Sequence, residues 1–336
     1  MRNRRHASTI QPLLINRDRD APAAVPSGRL TAIDLFAGAG GFSEAARLAG
    51  VSVLLAANHW KTALKWHSVN NPGTVHLCQD LQQADWRDVP AHDVILASPS
   101  CTGHSRARGK EQAHHDTTRS TAWAVPACAE YHRSPYFIVE NVPEFRRWVL
   151  YPSWCDAMTR LGYALEEHVL DSADFGVPQH RKRLFIVGAR GRAKLNLNLD
   201  PYRVPHVGVE TVIEWDRHED RWSHVDVPGR SAATVGRWQR GRARFGERFV
   251  APYYSSGSGL TGRCLSRPIG TLTTRDRWSL FNGERMRMLQ VSEARAIMGF
   301  RPDYQLAPGH ADAMMLLGNA VTPPVPAALL MALQHA

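Results

Sequence analysis

From Leu30 onward, short runs of consecutive apolar residues alternate with stretches of helix length, and this alternation constrains the chain more than any other feature. Leu30–Phe36 reads as a buried strand and Ala37–Gly41 as a glycine-rich turn. Phe42–Ala49 follows as a helix stopped by Gly50, a residue type suited to the left-handed backbone of a helix end. Val51–Ala57 is a second strand and Trp60–Asn70 a second helix. Asp93–Ala97, Tyr136–Glu140 and Leu184–Gly188 are further short apolar runs. A strand apolar at successive positions must be covered on both faces. Such strands alternating with helices predict an α/β fold with a doubly wound, mostly parallel sheet.

The pattern changes after Gly188. Between Ala189 and Ser266 there are thirteen Lys and Arg against eight Asp and Glu, with much Trp, Gly and Pro and no helical period. The predicted division is a first domain over 29–188, a smaller second domain over 189–275, and a segment 276–336 returning to the first. The 336 residues leave room for two domains. Residues 1–28 carry Arg2, Arg4, Arg5 and three prolines without an apolar period, and are expected to form a disordered basic arm. The net charge of +10 favours a polyanionic partner, nucleic acid above all, against the plainer reading of a basic soluble protein. The longest apolar stretches, such as Ala327–Leu333, fall far short of the ~20 residues that cross a bilayer, and no apolar leader core follows Met1. The five cysteines are scattered, without metal-like spacing, as expected of free thiols in a reducing compartment such as the cytoplasm.

Five motifs carry candidate chemistry. In Asp34–Phe42 (DLFAGAGGF) a strand runs through glycines into a helix, so backbone N–H groups can approach a ligand closely; a tight strand–helix turn without a ligand is the alternative. Its glycines, Gly38, Gly40 and Gly41, do not have the GxGxxG spacing of dinucleotide sites. In Ala97–Ser105 (ASPSCTGHS), Cys101 follows a strand and is either a nucleophile or an ordinary cysteine. Cys78, Cys128, Cys155 and Cys264 take the second reading. In Val139–Phe145 (VENVPEF), Glu140 ends a strand at the edge where parallel sheets bind ligands; it either acts there as a retained acid or caps a turn. In Gln179–Gly188 (QHRKRLFIVG), Gln179, Arg181 and Arg183 alternate along an extended segment, suiting phosphate or carboxylate recognition or a solvated basic edge. Leu317–Val325 (LGNAVTPPV) is a structured turn before a proline-started helix.

In this order the five motifs resemble the DNA (cytosine-5)-methyltransferase family. The likeness runs from about Thr31 to Gln334 and includes Arg267–Asp276 (RPIGTLTTRD), similar to the motif that ends the family's recognition domain. The resemblance implies a Rossmann-like methyltransferase fold with a target-recognition domain. It implies S-adenosyl-L-methionine as methyl donor, without a metal. Asp34, Phe36, Gly38, Gly40 and Gly41 match the cofactor motif, Trp60 the aromatic on the adenine, Asp80 the acid at its amino group, and Asn319 and Ala320 the segment at the methionine part. Cys101 matches the nucleophile that adds to cytosine carbon 6 and Glu140 the acid at the ring nitrogen. Arg181 and Arg183 match arginines holding a flipped nucleotide. Ser105, Arg106 and Arg108 fall in a DNA-closing loop, and Gln179 is placed with them as a DNA contact. Two positions depart from the family pattern: Ser100 stands where proline usually precedes the cysteine, and Asn58-His59 where an acid usually holds the ribose. His59 remains able to hydrogen-bond a hydroxyl.

In the second domain, Arg237, Arg240, Arg242 and Arg244 are candidate DNA contacts, and Tyr253–Gly259 a candidate groove-tracking loop. The expected activity is sequence-specific cytosine-5 methylation of double-stranded DNA by a monomer, in a bacterial or phage restriction–modification setting with a separate endonuclease. The alternatives are a tRNA cytosine-5 methyltransferase and a catalytically silent DNA-binding relative.

Overall fold

The computed structural model describes residues 13–15, 29–100, 120–253, 261–275 and 277–335. Among them, eight strands form one sheet: β1 (Leu13–Ile15), β2 (Thr31–Leu35), β3 (Ser52–Asn58), β4 (Val75–Cys78), β5 (Val94–Ala97), β6 (Tyr136–Asn141), β7 (Tyr163–Asp171) and β8 (Lys182–Arg190), in the order β1-β4-β3-β2-β5-β6-β8-β7. The central strands β4-β3-β2-β5-β6 are parallel; β8 is antiparallel to β6 and to β7. β1 requires a correction to the expected structureless arm. Leu13–Ile15, three apolar residues in succession, pairs antiparallel with β4 and occupies its otherwise open edge.

The apolar runs divide by alternation, as period-two geometry requires. Ile33, Leu35, Ile95, Ala97, Phe137 and Val139 face one layer, filled by Val125 and Cys128 of α3 (Ala124–His132) and by Trp154 and Met158 of α4 (Tyr151–Arg160). Ala32, Val94, Leu96 and Ile138 face the other, where α1 (Gly41–Leu48) contributes Phe42 and Ala46, and the C-terminal helix Pro324–Gln334 contributes Leu329 and Leu330. Each run is therefore apolar throughout because both faces are covered. The segment His310–Gln334 is long and apolar enough to cross a membrane by composition, but 78% of that window is buried inside the molecule.

A second sheet is formed by β9 (Ser223–His224), β10 (Arg248–Pro252), β11 (Trp278–Asn282) and β12 (Arg285–Met288), antiparallel in the order β10-β11-β12-β9. The boundary expected at residue 275 thus falls too early, since β11 and β12 belong to this sheet. They form a hairpin whose turn follows Asn282 with Gly283 at φ 61°, a conformation glycine adopts without strain. The expected absence of helix is also corrected. α5 (Ala232–Phe245) is capped by the Ser231 hydroxyl, which accepts from the Thr234 N–H at 3.3 Å. Its buried residues are Thr234, Arg237 and Gly241, none of them a large apolar residue, so the helix leaves no hydrophobic period to read. At Gly241 a Cβ would overlap the Phe249 ring, so glycine lets α5 lie directly on β10.

Candidate active site

The crossover after β2 runs toward β3, whereas that after β5 runs through α3 toward β6, so the winding reverses between β2 and β5. Open α/β sheets bind ligands outside the carboxyl ends of the strands at such a point. Leu35, Ala97 and Val139 are in register there, which brings Phe36, Ser98 and Glu140 to one edge. β8 is antiparallel, so its beginning reaches the same edge and sets Arg183 beside Glu140.

The glycine turn is held from behind. Asp34 is fully buried, and one carboxylate oxygen accepts from the Ser43 N–H at 3.0 Å and its hydroxyl at 2.7 Å. The Ser43 hydroxyl lies 2.9 Å from His67 Nε2, and His67 Nδ1 lies 2.7 Å from His76 Nε2. Burial, followed by the proximity of His67, pushes His76 down to about 3, so this imidazole is neutral at physiological pH. Phe36 takes a left-handed backbone at φ 61°, unusual for a side chain of that size, and its carbonyl accepts from the Ser98 hydroxyl at 3.2 Å. Asp34, expected at the cofactor, instead orients the turn from inside. Ser43, His67 and His76 were not singled out from the sequence, where isolated Ser and His carry no signal of their buried pairing.

The three glycines serve different ends. A Cβ on Gly40 would overlap Tyr304 and His67, and one on Gly41 would overlap the carbonyl of Val321. These two glycines permit packing, and Gly41 lets the C-terminal segment lie on the turn. At Gly38, φ is 53° and a Cβ would meet only the Phe36 carbonyl oxygen, 3.8 Å away, among the described residues. Gly38 therefore marks the open side of the turn. Around it, Asn58 and Cys78 are in register, so His59, Trp60 and Asp80 gather at the ends of β3 and β4. The Asn58 carboxamide is committed locally, accepting from the Trp60 N–H at 2.9 Å, whereas the side chain of His59 is exposed. Asp80 is exposed and accepts from the Gln82 N–H at 3.1 Å. An open glycine, an aromatic ring, an imidazole and a carboxylate on one rim form a donor set that fits an adenosine bearing a charged tail. Trp60, His59 and Asp80 would hold its nucleoside part.

On the other side of the switch, the Asn141 carboxamide donates to the Pro99 carbonyl at 3.1 Å. This anchors the chain two residues before Cys101. Cys101 itself, with Ser105, Arg106 and Arg108, lies outside the described residues, as do 254–259 of the expected loop. Glu140 is 7% exposed, and its carboxylate is 3.0 Å from Arg183 Nε. Burial pushes the Glu140 carboxyl above its ordinary value, opposed by the charges of Arg183 and Arg181 and by the Arg183 hydrogen bond. A carboxyl whose proton affinity is raised by burial, oriented by one guanidinium, is suited to donate to an acceptor presented at this edge.

Arg181 and Gln179 are corrections. The Arg181 guanidinium is buried and donates to the carbonyls of Leu272 at 3.0 Å, Gly318 at 3.0 Å and Ala320 at 2.9 Å. Its two terminal nitrogens are committed to backbone, so of the two arginines expected to hold a nucleotide, Arg181 is spent on carbonyls and Arg183 is the one that faces Glu140. Gln179 is fully buried; its amide donates to the Ile297 carbonyl at 3.3 Å and its oxygen accepts from the Leu272 N–H at 2.6 Å. It ties the returning segment to the first domain and is not presented to DNA. Ala320 is buried and Asn319 exposed, at the end of the helix His310–Asn319.

A family model for C-5 cytosine-specific DNA methylases matches residues 30–335. The chain belongs to the C-5 cytosine-specific DNA methylase family. The chain is 34% identical over 188 residues to the Type II methyltransferase M.AgeI of Thalassovita gelatinovora, covering 52% of this chain and 42% of that one. It is 25% identical over 304 residues to M.HhaI of Haemophilus parahaemolyticus, covering 86% of this chain and 89% of that one. M.AgeI, M.HgiEI and M.DdeI are matched over only 42%, 38% and 41% of their own lengths. The fold is shared with a crystal structure of a Spodoptera frugiperda DNMT2 mutant, at TM-score 0.68 and 19% identity, over 90% of this chain and 99% of that one.

In the small domain of this methylase-family chain, the four candidate arginines of α5 fall into different settings. Arg237 is 7% exposed, with a guanidinium nitrogen 3.4 Å from the Tyr253 carbonyl. Arg242 donates to Glu247 at 2.9 Å and stacks over Trp238. Arg240 and Arg244 are exposed, Arg244 lying over Phe245. One residue of this domain missed from the sequence is Arg287, fully buried in an ion pair with Glu293 at 2.7 Å.

Proposed function

We propose that this chain transfers a methyl group from S-adenosyl-L-methionine to carbon 5 of cytosine in duplex DNA. One observation carries the reading: the buried Glu140–Arg183 pair stands at the winding reversal, beside the anchored chain that leads to Cys101. Cytosine carbon 5 is a weak nucleophile. Addition of the Cys101 thiolate to carbon 6 breaks the 5,6 double bond and drives the electron pair toward the ring nitrogen at position 3. Glu140, whose hold on a proton is strengthened by burial, donates one to that nitrogen, and Arg183 holds the resulting carboxylate. Carbon 5 is now enamine-like. S-adenosylmethionine supplies an electrophilic methyl on a sulfonium. Carbon 5 would displace S-adenosylhomocysteine from that methyl. Loss of the carbon 5 proton to a base, expulsion of the thiolate and return of the nitrogen 3 proton to the Glu140 carboxylate then restore the aromatic ring and free Cys101. The target base must leave the helical stack to reach this edge.

The small domain, with exposed Arg240 and Arg244, supports DNA as substrate, as do the Type II methyltransferase names of relatives such as M.AgeI. We infer a sequence-specific enzyme that works as a monomer in the cytoplasm, alongside a separate endonuclease. The test offers tritiated S-adenosylmethionine with duplex DNA and, separately, with tRNA to the chain and to Cys101→Ser. Label in DNA that vanishes in the variant supports the proposal. Label confined to RNA, or none, rejects it.

A further inference from the structure

We propose that Arg181 is a positioning residue that couples the recognition domain to the cofactor segment, so that the two sites bind their ligands cooperatively. The proposal rests on the function proposed above. Two stretches distant in sequence meet at its guanidinium: the chain ahead of β11, at Leu272, and the end of the helix His310–Asn319 with the turn after it, at Gly318 and Ala320. All three partners are backbone carbonyls. A buried guanidinium is costly to leave with open donors, so shifting either stretch exposes a charge to an unpaired state. The two stretches therefore move together or not at all.

The contact extends at both ends. Toward the recognition domain, the Thr271 hydroxyl donates to the His180 carbonyl at 2.8 Å, and the His180 N–H donates to the Ile269 carbonyl at 2.7 Å. Close packing seals the junction, because a Cβ on Gly318 would overlap the backbone of Thr273 and Thr274. Toward the cofactor turn, Val321 follows Ala320 directly, and its carbonyl rests on Gly41. A displacement of the chain at Leu272 thus reaches the Gly38–Gly41 turn through one guanidinium and one glycine contact. The charge of Arg181 also acts on Glu140, so the same group reports to the acid.

Arg181→Lys separates positioning from charge. Lysine keeps the charge that Glu140 senses, but a single ammonium cannot span three carbonyls as a planar fork does. The experiment first finds the duplex that the wild-type chain methylates. The dissociation constant of that duplex is then measured with and without S-adenosylhomocysteine, at one fixed salt concentration. Coupling between sites is typically 5–150-fold. The wild-type chain is expected to show a ratio in that range, and Arg181→Lys a ratio near one. Gly318→Ala, which wedges apart the same junction while leaving the Arg181 side chain itself unchanged, is expected to uncouple likewise, and it decides the matter if the lysine variant fails to fold. Weaker binding of both ligands with the ratio preserved means a structural staple only and overturns the proposal. A wild-type ratio of one overturns it as well. If the wild-type chain methylates no duplex, the proposed function fails, which is a different result from a methylating chain without coupling.

Discussion

Two segments of this chain use arginine in opposite ways. Arg181 is buried and Arg183 largely so, and each has a dedicated partner: backbone carbonyls for Arg181, the Glu140 carboxylate for Arg183. On α5, spaced similarly, Arg240 and Arg244 are exposed, and Arg242 pairs with a surface glutamate. The residue type is the same; the difference is desolvation. Where water is excluded, a guanidinium must be fully paired and becomes a rigid geometric element. Where water remains, it is a screened charge that can meet a polyanion at little cost.

Glu140→Gln puts the largest strain on that contrast. Removing a positioned acid typically costs 10²–10⁴-fold in rate, and the variant is expected to lose kcat on that order while DNA affinity holds. The pH dependence has a definite sign. The folded-state pKa of Glu140 is raised, so activity that needs its proton falls as pH rises through that value. The stability that the proton confers falls over the same interval, and both trends should flatten in Glu140→Gln. A rate profile and melting temperatures against pH check this; an unchanged kcat would remove Glu140 from the chemistry.

Arg287→Ala tests whether burial, rather than location in the small domain, decides how an arginine behaves. Its ion pair with Glu293 is wholly buried, and breaking one partner of such a pair costs about 3–5 kcal/mol. Denaturant unfolding should show a loss of that size, although Arg287 belongs to the same domain as the exposed arginines. A loss under 1 kcal/mol would mean that the pair is hydrated in solution.

Gly41→Ala forces the Val321 carbonyl off the turn. Overpacking a tight contact costs typically 1–3 kcal/mol, with weaker S-adenosylhomocysteine binding, and titration calorimetry reads the second effect directly. The smallest effect separates two arginines of α5. Arg244→Ala should lower the slope of log affinity against log salt by about one, the signature of one lost phosphate contact. Arg242, already paired with Glu247, should change it less. Equal slopes for the two variants would show that the Glu247 pair opens on DNA.

The alternating apolar runs were legible because each is covered on both faces: the five strands expected, β2, β3, β5, β6 and β8, lie within two residues of their expected ends, whereas β4 and β7 were not among those expected. The hairpin of β11 and β12 was readable as well, through Asn282-Gly283 ahead of Arg285, but the charged RMRM of β12 hid it. α5 was not legible, because it seats on β10 through Gly241 and buries an arginine where a hydrophobic period would be sought.

The amino-acid sequence by itself determined the wound sheet, the family and the candidate acid Glu140, since these depend on local patterns of apolar residues and on motifs read in order. Only the tertiary structure decided which arginine meets Glu140 and which is spent on carbonyls, and which glycine opens to a ligand and which admits a neighbouring carbonyl. Those distinctions depend on what surrounds a group once water has been excluded, and the surroundings come from segments far apart in the chain, as Leu272 and Gly318 do at Arg181.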